Sequence, residues 1–219
     1  MDTGSQVPGR GTTWYGATTT IDTSAYGTTV GMEGQRTVFP DTNPADRTAR
    51  RSQADVRAIL VRNVSGITLY KSMLVTYASG YINKRVDGYA EVTAVKIAGV
   101  VDDHLGSAGV RNGDLFWLIV GGPVLVYTTK GTGGFTGDAI AADDLIYAIT
   151  AAASTANTTG GTTADEGGKM INWNAALTAT STQTTDGTLT KLLLNSFARA
   201  ISAATSAETN TQKLIDLDV

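Results

Sequence analysis

Asp102, Asp103 and His104 form a run of three potential metal-ligating and acid–base residues, and His104 is the one histidine in the sequence. Consecutive residues of a strand point to opposite faces, so this spacing does not aim both carboxylates at one ion; the run reads as a solvated turn. Asp143-Asp144 and Asp165-Glu166 pair carboxylates as a glycosidase would require, yet acids adjacent in sequence are ordinary loop decoration. Residues 130–137, KGTGGFTG, are glycine-rich but lack the dinucleotide fingerprint and a following helix, and read as a hairpin tip. Gly167-Gly168-Lys169 fails as a phosphate loop, because Thr163 and Met170 stand where glycine and a magnesium-binding hydroxyl are needed. No Gly-x-Ser-x-Gly elbow presents a nucleophile, and without cysteine there is no thiolate site or disulfide. Asn63-Val64-Ser65 and Asn157-Thr158-Thr159 match the glycosylation pattern and read as turn chemistry. These residues point away from an enzyme, and no cofactor or metal is expected.

The elements that carry these residues read as β structure. With 219 residues, 42% of them hydrophobic, the chain suffices for one large β domain or two small ones. Its 25 glycines and 4 prolines, with abundant Thr and Ala, favour strands and turns over helical bundles. A balance of 17 basic and 20 acidic side chains is too even for a nucleic-acid footprint, so no direct nucleic-acid partner is expected. No run approaches the roughly 18 apolar residues of a membrane helix, and residues 1–20 lack the basic-then-apolar order of a signal peptide. The expectation is a soluble protein without a membrane partner.

Along the chain, two β-rich runs within residues 57–77 flank Asn63-Val64-Ser65-Gly66 and predict a hairpin. Residues 90–101 alternate as a strand. Asn112-Gly113-Asp114 signals a turn into residues 115–120, wholly apolar and therefore buried on both faces. Gly121-Gly122-Pro123 predicts a reversal or a bend before a second strand over residues 124–129, with Pro123 at its start. Residues 145–152 are a further strand, residues 154–168 an exposed Thr/Gly-rich loop, and Met170, Ile171 and Trp173 the anchors that return it to the body. Residues 189–204 read as a strand despite a partial helical spacing. In KLIDLDV, Ile215, Leu217 and Val219 oppose Leu214, Asp216 and Asp218, the alternation of a paired strand.

Residues 1–51 show no sustained hydrophobic period and carry a few large anchors among Gly, Thr, Asp and Arg, so they read as an extended arm that orders against a partner. Stretched out, such an arm spans about 165 Å at roughly 3.3 Å per residue. Its Trp14, Tyr15, Tyr26 and Phe39 are side chains of the kind that dominate interfaces. Arg36, Arg47, Arg50 and Arg51, with Arg57 just beyond, suit charge-assisted bonds to an acidic surface.

Residues 39–77, KIAGVVDD at 96–103, GDLFWLIVGGPVLVYT at 113–128 and the segment from Phe197 onward together resemble the decoration, or cement, proteins of tailed-bacteriophage capsids. The resemblance implies a mainly β fold: a compact β-barrel or β-sandwich body over residues 52–219, built from repeated short strands, behind the arm of residues 1–51. It implies a structural virion protein on the outer surface of the head, binding the major capsid protein, assembling as a homotrimer and bridging capsomers without catalysis. Trp14, Tyr15, Tyr26, Phe39, Arg36, Arg47, Arg50 and Arg51 would then form the capsid- or subunit-binding set. The alternative is a head-fibre or tail-associated host-binding module that uses the Thr/Gly loop.

Overall fold

The computed structural model describes residues 10–11, 13–14, 33–46, 48–89, 97–127, 142, 145–148, 170–172, 198–202 and 212–218. Among these residues there is no helix. The strands are β1 (Thr13–Trp14), β2 (Arg36–Thr42), β3 (Arg50–Asn63), β4 (Leu74–Tyr77), β5 (Arg85–Tyr89) and β6 (Ile97–Val101). They continue with β7 (Leu115–Tyr127), β8 (Leu145–Ala148), β9 (Met170–Asn172), β10 (Ala198–Ala200) and β11 (Gln212–Asp218). The chain is mainly β, as expected.

Pairing runs β3–β5–β4–β6–β7, and β7 pairs back onto β3, so these strands close into a small barrel. Every pairing in the ring is antiparallel except β3 with β5. Ile59, Val61, Val75, Val86, Ala98, Val101, Phe116 and Leu118, drawn from all the ring strands, fill its interior. Residues of opposite parity, Val56, Ala58 and Leu60 on β3 and Leu115, Trp117 and Ile119 on β7, form a second core outside the ring. That outer core is covered by Ala198 and Ala200 of β10 and by Ile215 and Leu217 of β11. The apolar run at 115–120 is therefore buried on both faces for a definite reason: its strand lies between two cores.

β7 accounts for the largest departure from expectation. Gly121-Gly122-Pro123 does not reverse the chain, and Pro123 does not begin a strand; β7 is continuous over 13 residues. Arg57 pairs with Gly121 and the next residue of β3, Ala58, with Ile119, so the register shifts by one and Val120 bulges. Side-chain parity flips there, and Val124 and Val126 reach the same outer core as Trp117 and Ile119. Beyond the bulge β7 leaves β3 and pairs with β11, residue by residue from Gly121 to Tyr127. Gly122 sits at φ +85°, where a Cβ would collide with the Asp55 carbonyl. Gly122→Ala is expected to destabilise by about 1–3 kcal/mol, read from the urea midpoint; a change below a few tenths would contradict this account of the bulge.

The hairpin expected at residues 63–66 is also replaced. β3 pairs with β2, β5 and β7, not with β4. Asn63 is the cause: its Oδ1 accepts from the Ser65 N–H at 3.0 Å, and its Nδ2 donates to the Ile67 carbonyl at 2.8 Å and the Val110 carbonyl at 3.0 Å. This Asx-type turn hands the chain to Val110, which exchanges both backbone hydrogen bonds with Leu69. The turn at Asn112–Asp114 does form, closed by the Asp114 N–H on the Arg111 carbonyl. β8, β9 and β10 fall within segments expected to hold strands or anchors, and β11 shows the expected alternation, with Ile215 and Leu217 buried and Asp216 exposed. Residues 90–96, 130–137 and 154–168, with Trp173, lie outside the described residues.

Strands also occur within residues 1–51. Thr13 and Trp14 pair with Phe116 and Leu115, and β2 pairs along β3, whose first residue is Arg50. The division drawn after residue 51 thus falls inside β3.

Candidate functional site

The turn that follows β6 carries Asp102, Asp103 and His104, and it is not solvated: their exposures are 1%, 1% and 4%. Four other parts of the chain converge on it. From the N-terminal segment, Arg10 Nε donates to Asp102 Oδ1 at 3.2 Å, Arg10 Nη2 donates to Asp103 Oδ1, and the Gly11 N–H donates to Asp102 Oδ2 at 2.7 Å. From β3, Arg51 Nη1 donates to Asp103 Oδ2 at 3.3 Å. From β7, the Leu125 N–H donates to that same oxygen at 3.2 Å. At the end of β2, Thr42 Oγ1 lies 3.0 Å from His104 Nε2, and Asp41 accepts from Arg51 Nε and Ser52 Oγ, both at 2.8 Å. His104 Nδ1 donates to Asp103 Oδ1 at 2.9 Å.

One ligand atom from each of Asp102, Asp103 and His104 lies within 4.8 Å of the others, a separation that suits a metal ion. The donor set decides against that use. Each carboxylate oxygen of Asp102 and Asp103 already accepts from an arginine, a histidine or a backbone N–H, and the Arg10 guanidinium stands where a cation would sit. With His104 protonated, three cationic groups face the carboxylates of Asp41, Asp102 and Asp103. The cluster can therefore fasten the N-terminal segment, β2, β3 and β7 to one turn.

Burial disfavours the charged form of Asp102, but the His104 hydrogen bond, the Arg10 charge and the Gly11 N–H outweigh it and hold its pKa below the ordinary 3.8. Burial likewise pulls His104 down, and its bonds to Asp102 and Asp103 more than compensate, leaving it above the ordinary 6.5. The lowered carboxylate contributes stability that is present above pH 3.8 and is lost as pH falls through its folded value. The raised histidine contributes stability that is present below pH 6.5 and is lost as pH rises through its folded value. Urea midpoints are expected to be highest between those limits and to decline on the alkaline side; a midpoint that climbs from pH 6 to 8.5 would contradict this.

A second polar cluster borders a groove of about 480 Å³ lined by Glu33, Gly80, Tyr81, Ile82, Lys84 and Arg85. Glu33 is committed to Arg62 Nε at 2.5 Å and Arg85 Nε at 3.1 Å, and the Arg85 guanidinium lies 4.3 Å from the Tyr81 ring centroid. Among the described residues this groove holds a single carboxylate and no nucleophile–base pair.

The chain has little likeness to known proteins. No protein-family model matches it, and no match is found among curated proteins. Among solved structures it is similar to the head fiber gp8.5 N base of bacteriophage phi29, at 14% identity and TM-score 0.36, over 74% of this chain and 92% of that one. A likeness of that strength carries no argument about function.

The residues expected to form a binding set are spread apart. Phe39 is half-buried and packs edge-on against Trp117, centroids 5.4 Å apart at 76°, and Arg51 is held by Asp41 and Asp103. Arg36 and Arg50 are exposed on β2 and β3, and Trp14 lies on β1. Tyr15, Tyr26 and Arg47 fall outside the described residues. Sequence reasoning missed Arg10, Asp41 and Thr42 altogether. Arg10 meets its acceptors across 92 and 93 residues of chain, and nothing in the local pattern marks such a pairing. The available signal was His104 itself, the lone histidine following two acids immediately after an apolar strand.

Proposed function

We propose that this chain is a non-catalytic structural protein of a tailed-phage head, attached to the outer surface of the capsid through the major capsid protein. The observation that carries this reading is the inward closure of its chemistry. Among the described residues the densest set of charged groups is buried and paired internally, and it ties strands together instead of lining a cleft. The finer form of the reading is a decoration protein, working as a homotrimer, that bridges capsomers. A bridge adds a contact that must break before capsomers separate, and small contributions multiply over many copies. In that form Arg36 and Arg50, exposed at opposite ends of the β2–β3 ladder, are the residues offered to the capsid.

A head-fibre or host-binding module is the second reading, and one observation favours it. Phe39 and Arg51, two residues expected to reach a partner, are consumed by the chain's own body. Co-sedimentation of the full chain with phage heads stripped of their outer proteins tests both. Saturable binding that raises the temperature of genome release supports the decoration protein. Saturable binding without that rise supports the fibre or host-binding module, and no binding overturns head attachment.

A further inference from the structure

We propose that the Arg10–Gly11 segment is a clasp on the barrel that is loosened when His104 gains a proton. The inference is independent of the capsid reading. It rests on a shared acceptor: Arg10 Nη2 and His104 Nδ1 both donate to Asp103 Oδ1. When His104 is neutral, its Nδ1–H still donates, Thr42 Oγ1 can donate to Nε2, and the guanidinium is the cation nearest that oxygen. When His104 is an imidazolium, two positive charges press on one carboxylate oxygen in a buried setting, where their repulsion is poorly screened.

Among the described residues, the groups that face His104 from each packed element give the same sign. Asp102 and Asp103 come from its own turn, Arg10 from the N-terminal segment, Thr42 with the adjacent Asp41 from β2, and Arg51 from β3 by way of Asp103. β7 contributes the Leu125 N–H on Asp103 and the Pro123 carbonyl on Arg51, neither of which titrates. Three carboxylates remain when Arg10 leaves. They retain Arg51 and the imidazolium if His104 is protonated, but Arg51 alone if it is neutral, so departure is easier in the protonated state. Removing the clasp also removes a neighbouring cation that lowers the histidine's proton affinity. Linkage then requires protonation to favour the open form. Little else among the described residues holds this segment: Thr13 and Trp14 make two pairings with β7. Arg10 also has a buried Nη1 without a hydrogen-bond partner, a donor that opening would hydrate.

This sign is opposite to that of global stability, which His104 protonation raises. The two are separable on one sample. Trypsin cleavage after Arg10, mapped by mass and normalised to a small chromogenic substrate at each pH, reports opening in the full chain. Between pH 8.5 and 5.5 the normalised rate is expected to rise about threefold to tenfold, while the urea midpoint increases. Its midpoint should coincide with the titration of the single histidine followed by its Hε1 resonance. His104→Gln should hold the rate at the level seen at pH 8.5 throughout. A flat rate, a rate that rises toward alkaline pH, or the same pH dependence in His104→Gln would overturn the proposal. Should that variant fail to fold, the wild-type comparison decides, because separate midpoints for cleavage and histidine titration overturn it as well.

Discussion

Asp103→Ala is expected to lower folding stability by about 3–5 kcal/mol, the range for removing one partner of a buried ionic group. The carboxylate accepts from Arg10, His104, Arg51 and the Leu125 N–H, so its loss leaves two buried guanidinium groups with one carboxylate each, Asp102 and Asp41, and takes the acceptor from a backbone donor on β7. Those arginine side chains are only 5% and 13% exposed, so water cannot easily replace the lost acceptor. Asp103→Asn, which keeps the shape and one acceptor oxygen, should recover part of the loss. Urea unfolding at pH 6 checks both variants. A loss below about 1 kcal/mol for Asp103→Ala would mean that solvent or rearranged carboxylates satisfy the arginines, and that the cluster does not hold the elements together.

Trp117→Ala is expected to cost about 3–5 kcal/mol, the usual range for emptying a buried aromatic site. Trp117 is 1% exposed at the middle of the outer core, and Phe39 of β2 meets it edge-to-face. Such a pair contributes about 0.5–1.5 kcal/mol beyond area burial. Phe39→Ala should therefore cost less in the Trp117→Ala background than in the wild type, by about that amount. Strict additivity in the double-mutant cycle would show that β2 is held by its ladder with β3 and by the Asp41–Arg51 contact, with the ring pair contributing nothing.

Local pattern revealed much of the fold. The alternation of Ile215 and Leu217 against Asp216 survives intact in β11, and the apolar run at 115–120 is buried on both faces as its composition demands. The failures came where a residue acts over a long separation. Gly121-Gly122-Pro123 has the composition of a reversal, yet the two glycines admit close approach by β3, and the bulge flips the parity so that Val124 and Val126 face the outer core. Asn63-Val64-Ser65-Gly66 has the composition of a hairpin turn, but Asn63 spends its side chain on Val110, 47 residues away. The buried cluster was the least legible part. Asp102 and Asp103 look like loop acids unless one knows that Arg10 and Arg51 arrive beside them, and that is decided by the pairing of β1 and β3 with β7.

The double membership of β7 constrains how the protein is made. As the chain leaves the ribosome, β3 through β7 can close the barrel as soon as Tyr127 is clear, but the strand that pairs with the far half of β7 begins only at Gln212. Throughout that interval Trp117, Ile119, Val124 and Val126 present an apolar face without the cover of Ile215 and Leu217. A nascent chain that closes the barrel at that stage carries a sticky flank, which invites chaperones or premature self-association.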